Sequence, residues 1–94
     1  MNATDIPAHI PLIHLNGTSK DSLKDAMEKL YSAVGEALDV SRQCNPNMRD
    51  YYSFADANVR FRAAVEHVRA WQGRLESIRT DIESDIGFID AQDK

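Results

Sequence analysis

Two apolar stripes at helical spacing, parted by the breaker Asn45-Pro46-Asn47, narrow the folds open to this chain more than any other feature. Leu23, Met27, Leu30, Val34, Ala37 and Ser41 recur at alternating steps of four and three, and Tyr31 and Leu38 widen the stripe. Such spacing lines side chains along one side of an α-helix. Phe61, Val65, Val68, Trp71, Leu75, Ile78, Ile82 and Ile86 form a second, longer stripe. The pattern predicts an all-α fold, a long antiparallel helical hairpin with helices over residues 19–43 and 54–86. Residues 44–53 form the loop and 87–94 a tail. Thr18 with Asp21 has the form of a cap followed by an acidic first turn. Ser53 with Asp56 has capping-box form, and Gly87 is a natural stop.

Residues 1–17 read as an extended arm, since Pro7 and Pro11 forbid a continuous helix there. Ile10-Pro11-Leu12-Ile13-His14-Leu15 is too apolar to be left in water and is expected to lie across the helices. At 1.5 Å per residue the helices are about 35 and 48 Å long, a hairpin of unequal arms. The far end of the second helix, Ile78 to Ile89, then overhangs unless the arm or another chain covers it. A two-helix hairpin buries little apolar surface by itself, so self-association as a homo-oligomer is expected.

Composition excludes several classes of function. A formal net charge of −4 argues against a protein that coats nucleic acid, and no helix-turn-helix of suitable lengths is visible. The single cysteine, Cys44, leaves no internal disulfide and no cysteine-based zinc cage. His9, His14 and His67 lack metal-ligand spacing, and Cys44 has no histidine near it in sequence. A non-enzymatic protein with no cofactor is expected. No apolar run is long enough to span a membrane, and no basic stretch followed by an apolar core opens the chain. A cytoplasmic address is the expectation.

Two segments carry more chemistry than a hairpin requires. The first, His14-Leu15-Asn16-Gly17-Thr18-Ser19-Lys20, stands where a helix N-terminus offers unpaired amides and partial positive charge to an anion. Gly17 would let the backbone approach, Thr18 and Ser19 supply hydroxyls, Lys20 a charge, and Asn16 a carboxamide for a base edge or ribose. The plainer reading is a capped turn. The second, Arg49-Asp50-Tyr51-Tyr52, lies in the loop. Its tyrosines would stack on a base and its arginine pair with phosphate. In the plainer reading one tyrosine plugs the end of the hairpin while Arg49 and Asp50 form an exposed ion pair. Beside the loop Arg60, Arg62, Arg69 and Arg74 face only Glu66 among acids in residues 57–74, a local basic zone in an acidic chain.

The His14–Ser19 run ahead of the first helix, together with Arg49-Asp50-Tyr51-Tyr52, resembles a group of small proteins encoded by tailed phages and prophages. The likeness runs from about Ile10 to Ile82. Where that group has asparagine-glycine before the arginine, this chain has Asn47-Met48. By analogy with other small, helical, oligomeric phage proteins, the resemblance implies an anti-defence sponge. Such a protein binds a cyclic nucleotide or cyclic ADP-ribose-type immune signal without cleaving it. Tyr51 and Tyr52 would stack, Arg49 and Lys20 would hold phosphate, and His14 would close a site that Arg60 borders. The competing reading is a helical protein–protein interaction module, such as a phage regulator or assembly factor, working through Ile82, Ile86 and Phe88.

Overall fold

A computed structural model describes residues 6–92. Residues 1–5 of the expected arm and 93–94 of the expected tail lie outside the described residues. Helix α1 runs Lys20–Ser41 and helix α2 runs Ala57–Asp90, with 3-10 turns at Arg42–Cys44 and Met48–Asp50 between them. The described residues contain no strand, and the helices pair along a rod of 65 × 23 × 15 Å. The fold is all-helical and the hairpin is present.

The helix ends differ from the sequence expectation for local reasons. Ser19, not Thr18, caps α1: its backbone is extended (φ −65°, ψ 151°) and its Oγ accepts the Ser22 N–H at 3.1 Å. Thr18 stands one residue too far back to reach that amide. At the other end α1 stops at Ser41 rather than 43, and the chain tightens into the 3-10 turn. Helix α2 starts at Ala57 rather than 54, because the Phe54 N–H bonds to the Tyr51 carbonyl and holds Ser53 inside a turn. Asp56 makes no side-chain cap bond, and its carboxylate accepts from Arg60 Nε at 2.7 Å instead. That ion pair holds the Asp56 carboxyl below its ordinary range.

Gly87 does not end α2, which continues through it to Asp90. A glycine stops a helix by taking a left-handed conformation, and no described residue has a positive φ. The extra turn is held by packing, since Ile89 is only 1% exposed.

The seam between the helices keeps most of the expected stripes and departs from them at four places, Leu30, Ala37, Trp71 and Ile78. On α1 Leu23, Met27, Tyr31, Val34, Leu38 and Ser41 are buried or half-buried, while Leu30 is 53% exposed and Ala37 is exposed. On α2 the lane Phe61, Val65, Val68, Gln72, Leu75, Arg79, Ile82, Ile86 and Ile89 is buried or half-buried. Trp71 and Ile78 stand in the solvent, 42% and 48% exposed. Gln72 takes the seam place expected of Trp71 because its Nε2 donates to the Ser41 carbonyl at 3.3 Å and to Asn45 Oδ1 at 2.9 Å. Arg79 takes the place of Ile78 by lying over the Tyr31 ring, 4.5 Å from its centroid, and against Gly35. A Cβ on residue 35 would meet that guanidinium at 3.2 Å, so the missing side chain makes the room.

The overhang of α2 is covered by the chain's own arm. Ile10, Ile13 and Ile89 form a buried cluster, with Ile6, Leu23, Met27 and Phe88 packed around it. Gln92 clips the arm in place: its Oε1 accepts the Ile13 N–H at 2.8 Å and its Nε2 donates to the Pro11 carbonyl at 2.9 Å. His9 Nε2 meets Asp85 Oδ1 at 2.9 Å further along the arm. Ile89→Ala removes the centre of this cluster and is expected to destabilise the chain by about 2–4 kcal/mol in urea unfolding. A loss under about 1 kcal/mol would mean that the arm is not docked there.

Candidate ligand-binding segments

The two candidate segments sit at opposite ends of the hairpin. Helix α1 separates them, and its 22 residues span about 33 Å. Within one chain the residues expected to share a site do not converge.

At the arm end, His14, Gly17, Ser19 and Lys20 line a hollow of about 450 Å³ together with Ile13 and Leu15. The chain turns into it at His14–Gly17, where the Gly17 N–H bonds to the His14 carbonyl at 3.2 Å. Gly17 has an ordinary negative φ, so its requirement is space: a Cβ there would stand 2.6 Å from His14 Nε2. The imidazole therefore folds over the glycine and forms one wall. Asn16 and Thr18 are exposed and are not among the lining residues. Lys20 Nζ donates to the Gln92 carbonyl just past α2, where a cation also meets the negative end of the helix dipole. Lys20 thus ties the two helix ends together while standing at the edge of the hollow.

At the loop end the two tyrosines have separate fates. Tyr51 is half-buried and packs edge-on against Phe61 with ring centroids 6.0 Å apart, plugging the hairpin. Tyr52 is 72% exposed and presents a free ring. Arg49 is exposed, and its N–H is held by Asn47 Oδ1 at 3.1 Å, which fixes the backbone of that turn. Among the described residues it forms no ion pair with Asp50. Arg60 is engaged twice, by Asp56 and by the Phe54 ring 4.4 Å beneath it. Of the loop candidates, Arg49 and Tyr52 are the two left unengaged.

Comparison with protein-family models, curated proteins and solved structures finds no match to this chain. The site therefore has to be read from its own residues. Among the described residues no group of three or more histidine, cysteine or acidic side chains is placed to hold a metal ion, and no helix is long and apolar enough to cross a membrane. A second, smaller hollow of about 240 Å³ lies beside the loop, lined by Asn45, Pro46, Val65, Arg69 and Gln72. Sequence reading passed over the two glutamines that clip the ends. Gln72 carried one signal, a polar side chain four residues after Val68 in a lane that is otherwise apolar except at Arg79.

The arm end is also held by Lys24 and Asp90, 2.7 Å apart. The hydrogen bond from Lys24 keeps the Asp90 carboxyl below its ordinary range and raises the Lys24 ammonium above its own. For a carboxyl lowered on folding, the stabilisation is fully present above the unfolded-state value near pH 4. It is lost as pH falls through the lower folded value. Protection of the Ile13 amide, relative to its intrinsic exchange rate at each pH, should therefore fall in the wild type below about pH 4, and Asp90→Asn should remove that acid-dependent component. An identical acid profile in the variant would show that the pair does not secure the arm.

Proposed function

We propose that this protein is a non-catalytic sequestering protein that binds a small phosphate-bearing nucleotide, of the cyclic oligonucleotide or cyclic ADP-ribose type, in an anti-defence role on behalf of a phage or prophage. The supporting observation is the hollow at the start of α1, where four of the expected residues, His14, Gly17, Ser19 and Lys20, line one concavity of about 450 Å³. That volume lies within the range of small-ligand sites. The Lys20 amide stands at the first turn of α1, facing the positive end of the helix dipole, and Ser19 and Lys20 add polar side chains. Arg49 and Tyr52, at the other end of the hairpin, would bring the remaining chemistry from a neighbouring copy, a forked donor for phosphate and an exposed ring for a base. Nothing in this assignment requires a bond in the ligand to be broken.

The competing reading, a protein–protein interaction module, draws on a different surface from the one the sequence suggested. Ile82 is buried, and Ile86 and Phe88 are half-buried beneath α1 and the arm. The bare apolar side chains instead include Leu15, Leu30, Val40, Val59, Trp71 and Ile78.

Incubating the full chain with a panel of cyclic di- and trinucleotides and cyclic ADP-ribose isomers, then heating to release bound ligand, separates the two readings. Sequestration predicts that one class is retained and returned chemically intact. It also predicts that Arg49→Ala and Tyr52→Ala each weaken retention at least tenfold while helicity is unchanged. Folded protein that retains no member of the panel would refute the proposal.

A further inference from the structure

The arm covers only one end of a longer apolar face. It packs on Leu23 of α1 and, beside α2, on Phe88 and Asp85. Leu30 and Ala37 follow Leu23 at steps of seven, and Ile78 and Trp71 precede Asp85 at steps of seven. Heptad-spaced positions stay on one side of a helix seam. The face that the arm covers at one end therefore continues, bare, toward the loop. On α1 its pattern is regular: Leu23, Ala26, Leu30, Ala33, Ala37 and Val40 alternate at steps of three and four, and all but the half-buried Leu23 are exposed. This is a second heptad seam beside the one that α2 occupies.

We propose that the occupant of this seam is a second copy of the chain, with α1 packed antiparallel on α1. The composition of the lane selects that partner, because the lane is complementary to itself when reversed. Leu30 of each copy falls against Ala33 of the other and Ala26 against Ala37, while Val40 reaches the arm-covered end at Leu23. Large faces small at the centre, and the alanines let the helices approach closely. The flanking charges agree. In this register Lys29 of each copy stands two residues, about 3 Å along the axis, from the level of Glu36 of the other, within reach of two opposite-charge pairs related by the two-fold axis. Lys29, 77% exposed, pairs with Asp25 on its own helix at 2.9 Å and keeps donors to share. Trp71 and Ile78 border the same face and would be partly covered.

The register also bears on the two separated segments. It sets Lys20 of one copy level with Gln43 of the other, so the His14–Ser19 turn of each comes beside the partner's Arg49–Tyr52 loop. Each dimer then holds two composite sites, one at either end. That consequence rests on the nucleotide reading above, whereas the pairing stands on the seam and its charges alone.

Sedimentation equilibrium of the full chain without ligand tests the pairing. A dimer is expected in the micromolar range, with Leu30→Glu giving a monomer of unchanged helicity. Lys29→Glu should weaken association at least tenfold, and Lys29→Glu with Glu36→Lys should restore it. In a Cys44→Ser background, Ala26→Cys with Ala37→Cys should form a cross-linked dimer on oxidation where Ala26→Cys alone does not. A monomeric wild type, or a dimer indifferent to both charge variants, overturns the proposal. A dimer that retains no nucleotide leaves the pairing intact and removes only the sequestration reading. A monomer that does retain one does the reverse.

Discussion

The docking of the arm onto the helix ends is the constraint from which the rest of the structure follows. Two helices alone would leave Ile89 and Phe88 in water, and α2 would have no reason to continue past Gly87. With Ile10 and Ile13 laid over it, Ile89 becomes the most deeply buried large side chain of the described residues. The last turn of α2 then has a packing partner, and Gln92 beyond it can clip the arm's backbone at two points. Burying an extended segment requires partners for its amides and carbonyls, and Gln92 supplies one of each. The same docking decides which part of the hairpin's apolar side is covered and which is left bare.

Much of this was legible in the sequence, and the failures have a common origin. The hairpin, the breaker at Asn45-Pro46-Asn47 and the arm lying across the helices all follow from periodicity and proline chemistry. The lane of contact follows only in part, with Leu30, Ala37, Trp71 and Ile78 misplaced. On α1 two neighbouring lanes are both apolar, and periodicity cannot rank them. The choice is made by α2, where Gln72 and Arg79 occupy seam positions because Ser41, Asn45, Tyr31 and Gly35 receive them. A reading that prefers Trp71 and Ile78 to a glutamine and an arginine sets the seam one residue off. The buried Nε of Arg79, which has no hydrogen-bond partner among the described residues, marks what that choice leaves unsatisfied.

The candidate site was legible in part. The His14–Lys20 turn does form a concavity, with the glycine beneath the imidazole and Ser19 as the true cap. The loop divided as its plainer reading foresaw for Tyr51, which plugs the hairpin, while Tyr52 and Arg49 remain outward. What sequence spacing could not convey is distance, since α1 holds the two segments apart along its whole length. A single chain therefore holds the two candidate segments apart, and the proposed antiparallel pairing would bring unlike segments of two copies together. The sequestration proposal and the self-association proposal meet at that point while remaining separable by experiment.

Electron–electron distance measurement tests this arrangement most directly. Spin labels would be placed at Asn16→Cys on one population and Arg49→Cys on another, both in a Cys44→Ser background. Mixing the two should give a distance between copies well below the roughly 35 Å or more that separates these positions within one chain, since α1 alone spans about 33 Å. A mixture with no distance shorter than the intrachain one would contradict the antiparallel assembly and, with it, a site shared between copies.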